Sequence, residues 1–166
     1  FPARVRLEGS AAQLKRLPYL SEMAAAALAE IDTVVLAGAA EPVAFFALPG
    51  RPTKLARDNA RMIQLTPPSQ RVERALELLA AKLNALPVSA SPTSAPAPPT
   101  NGGAIDATAL AQCFAATLPA NAVVCDESNT AGLFCYDACA ASPPHDWLTL
   151  TGGSIGQGLP LATGAA

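Results

Sequence analysis

Two segments of this 166-residue sequence carry residue types that could bind a ligand. The first, Asp126-Glu-Ser-Asn-Thr130, follows a short apolar run, and the second, Gly152-Gly-Ser-Ile-Gly-Gln-Gly158, follows the apolar run Trp147-Leu-Thr-Leu150. Glycine lets the backbone approach a ligand closely, because no Cβ stands in the way. The Ser, Asn and Thr of the first segment offer polar atoms to a phosphate, or caps to the next helix. The residues alone leave both interpretations open.

Both segments are predicted to lie at one edge of one sheet. Each follows a predicted strand, residues 122–125 and 147–150, and a single helical segment separates the two turns. Because ligands bind at the carboxyl ends of the strands in open parallel sheets, the two turns together favour a ligand site more than either does alone.

The elements before this edge alternate between helix and strand, which predicts an α/β fold. A helical pattern over Ser21–Ile31 precedes the continuous apolar strand Thr33–Gly38, as expected for a parallel sheet covered on both faces. A second strand is predicted at Arg61–Leu65, and Ser69 is predicted to cap a helix that ends near Leu86.

A change of composition divides the sequence into three predicted parts. Residues 87–103 are rich in Pro, Ser and Ala, which predicts a linker without a packed core. Residues 1–86 form the part before it and residues 104–166 the part after it. In the latter, Asp106 is predicted to cap a helix that runs through Leu118.

Composition and charge restrict the class of protein. Hydrophobic residues make up 51% of the chain, charged residues 14%, and the net charge is −2. We therefore expect a cytoplasmic protein without nucleic-acid or membrane partners, since no apolar run reaches the roughly 18 residues that span a bilayer. The sequence begins at Phe1 and stops within a predicted helix at Ala166, so we expect a piece of a longer protein.

The residues that bind metals in other proteins give no metal site here. The four cysteines lack Cys-x-x-Cys spacing, so we expect reduced and mostly buried thiols. His145, which follows two prolines, is expected to be an exposed loop residue. Asp126 and Glu127 are two carboxylates without further ligands, and we predict that both have a structural role or support neighbouring site residues.

The two turns, their spacing and the preceding linker resemble the start of the diphosphate-binding domain of thiamine-diphosphate-dependent 2-oxo acid enzymes. Within that family the sequence is most similar to the acetolactate synthase large subunit-like group. The similarity is carried by Arg16-Leu-Pro-Tyr19, by Gly38-Ala-Ala-Glu-Pro-Val-Ala-Phe-Phe-Ala-Leu-Pro-Gly50 and by Gly153-Ser-Ile-Gly-Gln-Gly-Leu-Pro160. It covers essentially the whole chain, and residues 1–86 resemble the second half of the family's Rossmann-like central domain.

This resemblance implies thiamine diphosphate and Mg²⁺ as cofactors, a 2-oxo acid as substrate and a homo-oligomeric enzyme. Asn129 and Thr130 match positions that contact the diphosphate, and the Gly153 carbonyl matches one that accepts a hydrogen bond from the aminopyrimidine amine. Ser154 lies in the same cofactor-binding turn. Ile155 matches the bulky wedge that holds the cofactor bent, although a core residue at a helix start is the alternative from the residues alone.

Other parts of the family's site are expected outside this sequence. In the family that the sequence resembles, the activating glutamate belongs to the amino-terminal domain. The Gly-Asp-Gly to Asn motif that holds Mg²⁺ is expected beyond Ala166. No catalytic or metal-binding residue is therefore predicted within the chain, which is expected to be inactive alone. The segment Gly38–Phe46 lacks the arginine of FAD-binding acetolactate synthases, which argues against FAD.

Three alternative functions stay open. Benzoylformate decarboxylases, which the same segment also resembles, would decarboxylate the 2-oxo acid without joining it to a second substrate. A Rossmann-type nucleotide-binding module shares glycine-rich turns, but Pro160 and Leu161 disrupt the G-x-G-x-x-G pattern. A non-catalytic paralogue would keep the fold as an assembly partner.

Overall fold

A computed structural model describes residues 3–9, 14–51, 53–86, 97–98 and 103–166. The described residues between Arg16 and Val88 form one compact unit, and the remaining described residues form a second. The predicted linker lies outside the described residues, except for positions 97, 98 and 103. Within the described ranges, no helix is long and apolar enough to cross a membrane.

Strands and helices alternate along most of the chain, as predicted for an α/β fold. The elements are β1 (Arg4–Leu7), α1 (Ser21–Leu28), β2 (Thr33–Ala37), β3 (Arg61–Thr66), α2 (Val72–Lys82), α3 (Ala107–Thr117), β4 (Val123–Asp126), α4 (Cys135–Ala138), a 3₁₀ turn (Cys139–Ala141), β5 (His145–Thr149) and α5 (Gly158–Ala165).

The unit between Arg16 and Val88 contains a parallel pair of strands, β2 and β3, in which Thr33 lies opposite Arg61. This pairing agrees with the continuous apolar pattern of β2. Helix α1 is shorter than predicted, because the Ile31 N–H bonds the Leu28 carbonyl, three residues back, at 3.1 Å. The predicted cap at Ser69 is wrong, since α2 begins after Arg71 without a side-chain cap.

The second unit contains a mixed three-stranded sheet in the order β1, β5, β4. Strands β4 and β5 are parallel, whereas β1 runs antiparallel to β5. Val5 and Leu7 of β1 are buried in the core, and Arg4 on the alternate face bonds Asp146 at 2.9 Å. This short strand was not predicted, and it associates with the unit after the linker. The predicted domain boundaries stay a prediction.

The core of the second unit is built around Trp147, whose side chain is 1% exposed. The indole packs edge-on against Tyr136, at a ring distance of 5.4 Å, and against Phe114 at 6.4 Å. Helix α3 covers this core, and its N-terminus is capped as predicted, because the Asp106 carboxylate accepts the Ala109 N–H at 2.7 Å.

His145 is buried, so the expectation of an exposed loop residue is wrong. Strand β5 begins two residues earlier than predicted, and its alternating burial turns His145, Trp147 and Thr149 inward. The His145 Nδ1 lies 2.7 Å from the Pro143 carbonyl, while the buried Nε2 has no hydrogen-bond partner among the described residues. Two prolines before the strand favour a loop, but they do not determine which face the next residue occupies.

All four cysteines are free thiols, of which Cys135 and Cys139 are buried and Cys113 and Cys125 are half-buried. Burial raises the pKa of the Cys139 thiol to about 11. Because the thiolate is the reactive form, this environment suppresses the reactivity of Cys139.

We expect iodoacetamide at pH 8 to alkylate Cys139 at least about tenfold more slowly than the half-buried Cys113, because Cys139 is both covered and protonated. Peptide mass spectrometry of the native protein over a time course measures both rates, and the denatured protein provides the control in which the two rates converge. Equal rates in the native protein would contradict the packing described for the 3₁₀ turn.

Candidate functional site

The two predicted turns start side by side. Strand β4 ends at Asp126 and β5 ends at Thr149, and these two residues are aligned in the parallel register. Both turns therefore leave the carboxyl edge of the sheet at neighbouring strands, as predicted. After the second turn the chain forms α5, which packs against β4.

The Asp126 carboxylate joins the first turn to the core. Its Oδ1 accepts hydrogen bonds from the Ser128 backbone N–H at 3.0 Å and from the Ser128 hydroxyl at 2.5 Å. Its Oδ2 accepts the indole N–H of Trp147 at 3.0 Å. An aspartate that bonds the backbone two residues on is a common turn former, and here the other oxygen anchors that turn to a buried ring.

The Glu127 carboxylate joins the first turn to the second. One oxygen accepts the backbone N–H of Gly156, and the other accepts that of Gly158, the first residue of α5. A Cβ at Gly158 would lie 2.5 Å from Glu127 Oε2 and 3.0 Å from Glu127 Cβ, so a side chain at this position would displace the Glu127 carboxylate. The contact places a negative charge at the positive end of the helix.

Each of the Asp126 and Glu127 carboxylates accepts hydrogen bonds with both oxygens, which supports the structural role predicted for them. Across the part of the chain that the structure describes, no group of three or more His, Cys, Asp or Glu side chains could hold a metal ion.

The glycine turn is folded by its own backbone. Gly152 and Gly153 have φ values of +63° and +67°, which glycine adopts without strain. The Gly153 carbonyl accepts the Ile155 N–H at 3.0 Å, and the Ser154 N–H donates to Thr151 at 3.2 Å. The Ile155 side chain is 73% exposed, so within the described residues it is not a core residue.

Asn129 and Thr130, the residues predicted to contact the diphosphate, are both exposed. The Asn129 side-chain amide lies 3.4 Å from the Glu127 carbonyl, and the Thr130 carbonyl accepts the Leu133 N–H at 3.2 Å. Neither residue caps a helix, because α4 begins only at Cys135 and has no side-chain cap. Their contact with a diphosphate stays a prediction.

A groove of about 290 Å³ lies beside the first turn, and sequence patterns gave no sign of it. Apolar side chains from α3 and from the sheet form most of its wall, including Leu110, Phe114, Val124 and Trp147. Asp126, Glu127 and Ser128 also line the groove.

The residues at the sheet edge fit the thiamine diphosphate that the resemblance implies. The Gly153 carbonyl accepts one backbone hydrogen bond, and a carbonyl oxygen has a second lone pair for a ligand donor. Apart from the two chain neighbours, no atom of the described residues lies within 4 Å of a Cβ built at Gly156, so the backbone of the turn leaves space for a ligand there. Ile155 provides exposed apolar surface in the same turn.

The α/β chain is similar in sequence to an acetolactate synthase large subunit, as the resemblance predicted. The chain is 40% identical, over 167 aligned positions, to a protein of Mycobacterium tuberculosis (strain ATCC 25618 / H37Rv) described as "Putative acetolactate synthase large subunit IlvX". The alignment covers 100% of this chain and 32% of that relative. No family model and no solved structure matches the chain significantly.

We expect Asp126→Asn to lower the free energy of unfolding by about 1–3 kcal/mol, because an amide NH₂ would face either the indole N–H or the Ser128 donors. Urea denaturation of the protein that carries this sequence measures the loss, with near-ultraviolet circular dichroism reporting the environment of Trp147. The matched control is Asp137→Asn, since Asp137 is exposed. Equal effects of the two substitutions would contradict the anchoring role of Asp126.

Proposed function

We propose that the chain is part of a thiamine-diphosphate-dependent enzyme that acts on 2-oxo acids and resembles the acetolactate synthase large subunit. The observation that carries this proposal is the direct bonding of the two turns, in which Glu127 of the first accepts the Gly156 and Gly158 amides of the second. The similarity over the whole chain to a relative described as an acetolactate synthase large subunit supports the same proposal.

Each predicted site residue has a specific task in this proposal. Asn129 and Thr130 bind the diphosphate with exposed polar atoms near the end of β4. The Gly153 carbonyl accepts a hydrogen bond from the aminopyrimidine amine and so orients that ring. Ile155 supports the bend of the cofactor with its exposed side chain. Bound thiamine diphosphate supplies a carbon nucleophile for the 2-oxo acid and an electron sink for loss of CO₂.

The reaction that follows decarboxylation distinguishes the two candidate activities. An acetolactate synthase-like enzyme joins the decarboxylated fragment to a second 2-oxo acid, whereas a benzoylformate decarboxylase-like enzyme releases an aldehyde. The segment from Gly38 to Phe46 resembles both groups. We propose the synthase-like reaction, because the relative is described as a synthase subunit. Homo-oligomerisation, the Mg²⁺ requirement and the lack of FAD are further predictions of the same proposal.

Calorimetric titration of the protein that carries this sequence tests the proposal. We expect binding of thiamine diphosphate in the presence of Mg²⁺ and much weaker binding of thiamine, which lacks the diphosphate. With pyruvate as a probe substrate, release of CO₂ together with acetolactate supports the synthase-like activity, and acetaldehyde supports the decarboxylase-like one. A protein that neither binds thiamine diphosphate nor releases CO₂ from any 2-oxo acid would overturn the proposal.

For Ile155→Ala we expect hydrogen-deuterium exchange at C2 of bound thiamine diphosphate to slow by at least about tenfold, with a smaller change in cofactor affinity. The reason is that the wedge determines the bend of the cofactor, whereas the diphosphate contacts provide most of its affinity. NMR of quenched samples measures the exchange. Leu159→Ala is the matched control, because Leu159 is an exposed apolar residue of the neighbouring helix.

A lower melting temperature of the Ile155→Ala protein with unchanged C2 exchange would rule out the wedge. It would leave Ile155 as a packing residue, for which a loss of about 2–5 kcal/mol in stability is typical. Ile155→Leu keeps the apolar bulk and is expected to retain most of the exchange rate.

A further inference from the structure

Glu127 is an unexpected residue to find between groups proposed to bind a diphosphate. A carboxylate repels a nearby anion, so its own charge cannot improve the binding of a phosphate group. Its side chain is nevertheless directed to the backbone amides of Gly156 and Gly158, which lie 29 and 31 residues further along the chain. If Glu127 assists ligand binding, it therefore does so through the effect of these two hydrogen bonds on the conformation of the glycine turn.

The two amides that Glu127 accepts are ones that the backbone itself leaves unpaired. Gly158 is the first residue of α5, and the first N–H groups of a helix have no acceptor within the helix. Gly156 precedes the helix, and no backbone carbonyl of the described residues accepts its N–H. A carboxylate that accepts from two such donors makes charge-assisted bonds, which are stronger than neutral ones. The absence of a side chain at Gly158 makes room for this contact.

The other bonds that hold the turn are local or reach only the strand before it. Its backbone bonds between Thr151 and Gln157 span two or three residues each, and several glycines make other backbone conformations accessible. The Thr151 hydroxyl donates to the Gln157 side-chain oxygen at 3.1 Å, and the Gln157 side-chain amide lies 3.5 Å from the Thr149 carbonyl at the end of β5. The Gly153 carbonyl and Ile155 lie in this segment. The turn follows β5, and the Glu127 side chain connects it by hydrogen bonds to the end of the neighbouring strand, β4.

We propose that Glu127 is a positioning residue, which fixes the glycine turn against the end of β4 through the Gly156 and Gly158 amides and so presents the Gly153 carbonyl and Ile155 in one arrangement before a ligand binds. The consequence for the ligand rests on the function proposed above. A further consequence is that Glu127 already neutralises the positive end of α5. The diphosphate is therefore bound on the side of Asn129 and Thr130 and not at this helix terminus.

Hydrogen exchange of the protein without cofactor tests the bond itself. Glu127→Gln keeps the length of the side chain but has one acceptor oxygen, and its NH₂ cannot accept an N–H. We expect the Gly156 and Gly158 amides to exchange between about tenfold and a hundredfold faster in this variant, as for the loss of a hydrogen bond to a charged group. Mass spectrometry of the peptides that cover 151–165 measures the rates.

Matched variants separate this effect from general loosening. Glu77→Gln removes an exposed carboxylate on α2 that pairs with Arg74, and it is expected to leave exchange in 151–165 unchanged. Glu127→Asp keeps the charge but is one methylene shorter, so it is expected to fall between the wild type and Glu127→Gln. If Glu127→Gln does not fold, Glu127→Asp and Gly158→Ala, which pushes the carboxylate away, provide the same comparison.

Titration of the same variants with thiamine diphosphate and Mg²⁺ tests the positioning role. We expect Glu127→Gln to weaken the affinity at least about fivefold, although it removes a negative charge near an anionic ligand. Unchanged exchange at Gly156 and Gly158 would overturn the proposed bond. Faster exchange with equal or tighter binding would overturn the positioning role and leave the proposed function intact. Absence of binding to the wild-type protein would refute the proposed function, while exchange would still decide the bond.

Discussion

The hydrogen bond from the Trp147 indole to the Asp126 carboxylate connects the core of the second unit to its candidate site. Trp147 is fixed by aromatic rings on α3 and α4, so its N–H occupies one place at the carboxyl end of the sheet. Asp126 accepts that N–H with one oxygen and shapes the first turn with the other. The geometry of the turn therefore depends on how well the core beneath it is packed.

Adjacent carboxylates have different tasks at this edge. Asp126 acts within its own turn and toward the core, whereas Glu127 acts across the sheet edge on the glycine turn. Asp126 is the last residue of β4 and Glu127 the first residue after it, so one pair of neighbours bonds groups in three different segments. A metal is not needed to explain this acidic pair.

The glycines of the second turn favour ligand binding but reduce the conformational stability of the turn. Glycines allow the backbone to come close to a ligand, yet they also lower the cost of other conformations. Glu127 offsets that freedom with two charge-assisted bonds, and the glycine at position 158 leaves room for its carboxylate. Exposed Ile155 is then held on a short, locally bonded segment, which suits a residue proposed to contact a cofactor.

Local patterns in the sequence determined the strands β2 and β3, the Asp106 cap and the two turns, because periodicity, capping and glycine act over a few residues. The resemblance to acetolactate synthase large subunits was likewise visible in short motifs and was confirmed. Only the tertiary structure decided that β1 pairs with β5, that His145 is buried and that Glu127 bonds Gly156 and Gly158. These contacts join residues far apart in the chain, and which partners meet depends on sheet register and packing, which no local pattern contains.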